Sequence, residues 1–96
     1  MKFSLIETCH ACPEQYDVYH GQTQVGYIRL RHGTLRLDYV CCGGETLCIF
    51  NFKDKLKGCF DDDNERDKYL RKLLNVLKNK ILDYRDSDLN ISYEIK

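Results

Sequence analysis

The sequence predicts an α+β domain, an antiparallel β-sheet of about five to six strands packed against one long amphipathic C-terminal helix. Three observations carry this. Leu35, Leu37 and Tyr39 recur with period two, the repeat of a strand with one buried face. Leu70, Leu73, Leu74, Leu77, Ile81 and Tyr84 recur at helical spacing and gather into one apolar stripe. The links between the extended segments are too short for parallel crossovers, so an antiparallel meander is the simplest assembly.

Taken in order, Phe3-Ser4-Leu5 begins the first extended segment, and Pro13, the single proline, sets a turn after Cys9-His10-Ala11-Cys12. Tyr16 to Tyr19 alternates, and His20 to Gln24 supplies a polar turn. Val25 to Arg31 is rich in β-formers, and His32-Gly33 forms a hairpin before the Leu35–Tyr39 repeat. Gly43-Gly44 interrupts the chain, and Thr46 to Phe52 resumes as a strand. Asp62 then has the place of an N-cap, with Glu65 three residues on, for a helix expected from Asp62 to Tyr84. Acids cluster at its start and Lys78, Lys80 and Arg85 near its end, as the helix dipole favours. Leu89, Ile91, Tyr93 and Ile95 alternate with polar residues and read as an edge strand. Ninety-six residues make a single domain, 1–96.

Charge and hydropathy exclude several classes. The 15 Lys and Arg balance the 15 Asp and Glu, so the chain has neither the basic excess of a bulk DNA binder nor the acidic excess of a DNA mimic. No apolar run reaches the length of a signal peptide core or a membrane span, which gives the expectation of a cytoplasmic, reducing setting. Six cysteines are many for such a chain. In that setting they point to metal binding or burial more than to disulfides.

Cys9 and Cys12 form a C-x-x-C pair, half of a common zinc site, and the other half must come from elsewhere in the chain. Cys41 and Cys42 are adjacent and point to opposite faces when extended; Cys41 is in phase with Leu35, Leu37 and Tyr39 and belongs to the core, whereas Cys42 precedes the flexible Gly43-Gly44. Cys59 precedes the helix, whose positive end favours a thiolate. Cys48 reads as a small core residue. The expected site is Zn2+ held by Cys9, Cys12, Cys42 and Cys59, with Cys41 and His10 in reserve. Free thiols and disulfides are the alternatives, and a thioredoxin-like role is disfavoured because the C-x-x-C leads into a strand.

The Asp61–Glu65 acids lack the glycine and the terminal glutamate of a calcium loop and read as helix capping. Two basic groups are candidate partner-binding surfaces. Arg29, Arg31 and Arg36 flank the predicted hairpin with His32, among Tyr16, Tyr19, Tyr27 and Tyr39, a mixture suited to single-stranded nucleic acid or to a protein interface. Lys68, Arg71, Lys72, Asn75, Lys78 and Asn79 line the helix face away from the apolar stripe. The three histidines are scattered, and no phosphate loop, nucleophile elbow or H-E-x-x-H motif is present, so no enzyme is expected.

The segments Cys12-Pro13-Glu14-Gln15-Tyr16-Asp17-Val18-Tyr19, Gln24-Val25-Gly26-Tyr27-Ile28-Arg29-Leu30-Arg31-His32-Gly33 and Gly43-Gly44-Glu45 resemble a family of small proteins from streptococcal and other Firmicute phages. From about Cys12 to the helix the chain looks like a type II-A anti-CRISPR protein, a phage inhibitor of Cas9. The resemblance implies a non-enzymatic inhibitor in the cytoplasm of a bacterial host, binding Cas9 or its guide RNA complex one for one. Many such inhibitors are acidic, and the neutral charge here departs from a DNA-mimic mechanism. The alternative is a small zinc-containing nucleic-acid-binding phage regulator.

Overall fold

The computed structural model describes residues 1–9, 12–82 and 90–96. Strands β1 (Lys2–Glu7), β2 (Glu14–His20), β3 (Thr23–Arg31), β4 (Thr34–Tyr39) and β5 (Glu45–Asn51) are followed by helix α1 (Asp63–Leu82) and strand β6 (Ser92–Ile95). They form one six-stranded sheet in the order β5-β4-β3-β2-β1-β6. The first five strands are the expected antiparallel meander. The all-antiparallel expectation fails at β6, which runs parallel to β1 with Phe3 opposite Tyr93 and Leu5 opposite Ile95. A parallel neighbour requires a long crossover, and here everything from β2 to α1 intervenes.

Two tight turns fix the registers. His32 and Gly33 both have positive φ, 53° and 75°, between the paired residues Arg31 and Thr34, as a two-residue hairpin with the right-handed sheet twist demands. Gly21, at φ 64°, serves the β2–β3 turn between His20 and Thr23. With registers set, alternate residues share a face. Phe3, Leu5, Tyr16, Val18, Ile28, Leu30, Leu35 and Leu37 are buried in one core with Phe60 and the helix residues Leu70, Leu73, Leu74 and Leu77. Full burial of each such side chain contributes about 1.5–3 kcal/mol. Gly26 lets the helix come close, since a Cβ there would lie 3.1 Å from Leu77 Cδ2.

Asp62 caps α1 as expected: its Oδ1 accepts the Glu65 N–H at 2.8 Å, and Glu65 Oε1 reaches back to the Asp61 N–H at 2.9 Å. The expected helix end at Tyr84 falls outside the described residues. Lys78 is not on the solvated face; it is 2% exposed within the buried stripe. It follows Leu74 by four residues and so shares that residue's side of the helix. Cys41 likewise departs from expectation. Tyr39 keeps the phase of Leu35 and Leu37 and packs against the core, but β4 stops there, so Cys41 sits exposed in the turn, its carbonyl accepting the Gly44 N–H at 3.0 Å.

A candidate arginine-lined binding surface

The helix covers one face of the sheet, and the residues that alternate with the core line the other. There the registers place Gln15, Arg29, Arg36 and Ile49 in one cross-strand row and Arg31, Thr34 and Asn51 in the next. Arg29, Arg31, His32, Thr34 and Arg36 together line an open cleft of about 260 Å³. The three arginines expected at the hairpin thus converge on one site.

Its electrostatics are uneven. Arg29 and Arg36 stand directly opposite on neighbouring strands, a like-charge pairing that works against the sheet unless an anion lies nearby. One carboxylate does: Asp38, 1% exposed, lies 3.2 Å from Arg36 Nε. That contact is an ion pair without hydrogen-bond alignment, since Arg36 Nε is buried with no hydrogen-bond partner. Asp38 is already engaged, its Oδ1 accepting the Thr46 hydroxyl at 2.9 Å and its Oδ2 the Gly43 N–H at 3.2 Å. Among the described residues Arg29 and Arg31 have no ion pair at all. Donors without acceptors, gathered in a concave place, are what an incoming anion would satisfy.

The basic residues of the helix are differently placed. Arg71 Nε donates to both oxygens of Asp67 at 3.1 Å, and its guanidinium lies over the Tyr93 ring. Lys72 lies over the rings of Phe50 and Tyr69, and Lys68 over Tyr69. Phe50, Phe52, Phe60 and Tyr69 form an aromatic cluster between β5 and α1, and the lysine stems cover its edge. Lys68, Arg71 and Lys72 therefore have intramolecular roles that Arg29 and Arg31 lack. The tyrosines serve packing: Tyr16 is buried in the core, and Tyr27 is buried with its hydroxyl donating to Gln15 Oε1 at 3.2 Å. Burial, then the neighbouring Cys42, push the Tyr27 hydroxyl pKa up.

The four cysteines expected to hold zinc do not come together. Cys12 and Cys59 form a disulfide, with Cα atoms 5.4 Å apart. Cys9 and Cys42 are free, and Cys42 lies in the exposed β4–β5 turn, whereas Cys12 precedes β2 and the pairing of Glu14 with Leu30. Of the reserves, Cys41 shares that exposed turn and His10 falls outside the described residues. No cluster of three or more His, Cys, Asp or Glu side chains suited to a metal forms among the described residues. With Cys12 and Cys59 bonded to each other, those two sulfurs offer no thiolate to an ion in this arrangement. Cys48 is half-buried against the core, as expected, and burial pushes its thiol pKa up.

Beside the disulfide is a polar cluster that sequence reading missed. Glu14 accepts from Arg66 Nε and Nη2, both at 2.9 Å, from the Tyr16 hydroxyl at 2.7 Å and from the Phe60 N–H at 2.8 Å. Burial raises the Glu14 pKa, but the hydrogen bonds from Arg66, Tyr16 and Phe60 outweigh it and hold the carboxyl below its ordinary range. With every oxygen engaged, this cluster is a structural clasp between β2 and α1 and has no free group for catalysis. Sequence reading also passed over Asp38 and Thr34. The hairpin at His32-Gly33 was signal enough to place Thr34 beside Arg31.

No helix among the described residues is long and apolar enough to cross a membrane. Comparison with known proteins found no matching family model, no matching curated protein and no matching solved structure.

Proposed function

We propose that this protein is a non-enzymatic binding protein that uses the arginine-lined sheet face to occupy an anionic surface of its partner. The observation that carries the reading is the convergence of Arg29, Arg31 and Arg36 on one open cleft, two of them without an ion pair among the described residues. The resemblance to type II-A anti-CRISPR proteins supplies the partner: Cas9 or its guide RNA complex in the cytoplasm of a bacterial host. Occupying the complex blocks target-DNA binding or cleavage, and a guide RNA complex presents the phosphates that such a face would meet.

A Cas9 cleavage titration tests this. Inhibition saturating near one protein per Cas9, independent of incubation time, is the expected outcome. Charge reversal at Arg29 and Arg31 should relieve inhibition, whereas reversal at Arg71 and Lys72 should not. Unchanged cleavage by several streptococcal Cas9 enzymes in excess folded protein would overturn the assignment of the partner.

A further inference from the structure

The positive surface does not stop at the cleft. The segment after β5 folds back over the tip of the β3–β4 hairpin: the Gly33 N–H donates to the Lys57 carbonyl at 2.8 Å, and the Phe52 N–H to the Gly33 carbonyl at 2.7 Å. This lays the backbone of Asp54 and Lys55 against Gly33 at the hairpin tip, and so carries Lys53 and Lys55 in the loop beside the cleft. Both lysines are exposed, and neither has an ion pair among the described residues. Three carboxylates lie nearby, one of them Asp17, opposite Tyr27 in the row next to Gln15 and Arg29. Asp38 is buried behind Arg36, and Asp54 is turned into its own loop, its Oδ1 accepting the Leu56 N–H at 2.9 Å. Arg36, Arg29 and Arg31 at the cleft, with Lys53 and Lys55 in the loop packed on the hairpin tip, gather a track of cations at this end of a chain of zero net charge.

Resting on the reading of this face as the binding surface, we propose that the track takes the sugar–phosphate backbone of single-stranded nucleic acid. A guanidinium fork matches phosphate oxygens two at a time. The cleft, of about 260 Å³, has room for a phosphate with part of its sugar. The cations beyond it have nothing to meet unless the anion continues, which favours a chain of phosphates over one acidic group. Arg29 and Arg31 sit two residues apart on one strand, so the charges repeat along the track about every 7 Å. The face is the open side of a sheet with α1 on the opposite side, and among the described residues no helix lies on it to enter a duplex groove. Recognition of this kind reads the backbone, is tolerant of sequence and weakens with salt.

Fluorescence anisotropy with labelled oligouridylate and oligothymidylate, titrated at rising salt, tests the proposal with the intact protein. The expected log–log salt slope is about −2 to −3, from three to four phosphates neutralised at roughly −0.7 each. Arg29→Gln with Arg31→Gln should weaken binding at least about tenfold. Lys53→Gln with Lys55→Gln should make the slope shallower by about 1.4, two phosphates' worth. Arg71→Gln with Lys72→Gln should change neither, and circular dichroism melts confirm that each variant is folded. Absence of binding at low salt, indifference to the arginine substitutions, or tighter binding of a duplex of equal length would overturn it. Cas9 inhibition lost in the arginine variant, with no oligonucleotide binding by the parent protein, would remove the nucleic acid and leave the binding-surface reading standing. Oligonucleotide binding without any effect on Cas9 would do the reverse.

Discussion

Glu14 and Arg66 are 52 residues apart in sequence and meet in a two-pronged ion pair that fastens the start of β2 to the first turns of α1. Arg66 also pairs with Asp63, and the Phe60 N–H on Glu14 draws the chain leading into the helix into the same cluster. Removing either partner leaves the other's charge poorly solvated. Glu14→Gln or Arg66→Ala should each cost about 2–4 kcal/mol by urea unfolding, less than a fully buried pair because Arg66 keeps contact with water. A double variant should cost clearly less than the sum of the singles, because each single change already breaks the shared contact.

The same cluster sets a pH dependence. Because Glu14 has a folded pKa below its ordinary 4.5, its contribution is fully present above that value and is lost as pH falls through the depressed one. Melting temperature should therefore drop on acidification below about pH 4.5, and Glu14→Gln should flatten that limb of the curve. At the alkaline end, burial and the hydrogen bond to Asp67 push Tyr93 up to about 12. Its stabilising share persists below the ordinary tyrosine value of 10.0 and fades as pH rises through the folded one. Tyr93→Phe should blunt that alkaline loss.

Non-reducing peptide mapping should find Cys12 linked to Cys59, with Cys9, Cys41, Cys42 and Cys48 open to alkylation. The bridge spans 47 positions of sequence, so its reduction should lower stability by about 2–4 kcal/mol, mainly by releasing the unfolded chain. Metal analysis of the oxidised protein should show less than one zinc per chain, and stoichiometric zinc in protein with this bridge intact would contradict the arrangement of sulfurs described above.

Gly33 and Gly21 both have positive φ, 75° and 64°, yet their surroundings differ. A Cβ at Gly33 would lie 2.6 Å from the Asp54 carbonyl oxygen and 2.9 Å from Lys55 Cα, whereas at Gly21 it would meet nothing within 4 Å. Gly21→Ala should cost about 1–2 kcal/mol, from the left-handed backbone alone. Gly33→Ala should cost more, because the loop must also lift from the hairpin, and oligonucleotide binding should weaken with it as Lys53 and Lys55 move away.

Leu77→Ala should cost about 2–5 kcal/mol, since the side chain is fully buried over Gly26 and the surrounding core is closely packed. Lys72→Ala removes only a stem and a charge at the edge of the Phe50–Tyr69 cluster, and should cost less than about 1 kcal/mol. Equal effects in thermal melts would contradict this orientation of the helix.

Much of this arrangement can be read from the sequence where local rules decide it. Once a two-residue turn is placed at His32-Gly33, Arg31 must face Thr34 and Arg29 must face Arg36, so the arginine row follows from turn chemistry alone. The Asp62 cap and the leucine stripe follow in the same way. What escaped depends on distant neighbours or on side-chain type. Lys78 lies on the apolar stripe by spacing, and its charge alone put it outside. Cys41 keeps the phase of the apolar repeat, but β4 ends at Tyr39, two residues short of it, and the repeat alone does not mark where the strand stops. The partners of Cys12 and of Glu14 lie some fifty residues away, and six cysteines offer many pairings that spacing cannot rank.

The pairing of β1 with β6 has a consequence for how the chain reaches this state. Backbone hydrogen bonds tie β1 to the β6 segment, among them Ser92 N–H to the Met1 carbonyl and Lys96 N–H to the Leu5 carbonyl. The meander can assemble from contacts close in sequence as the ribosome releases it, but β1 stays an open edge until a strand some ninety residues later arrives. Synthesis at about 5–20 residues per second leaves that edge exposed for several seconds, long compared with the microseconds of hairpin formation. During that interval β1 is the strand most vulnerable to pairing with a neighbouring chain, and the arrival of β6 ends the danger.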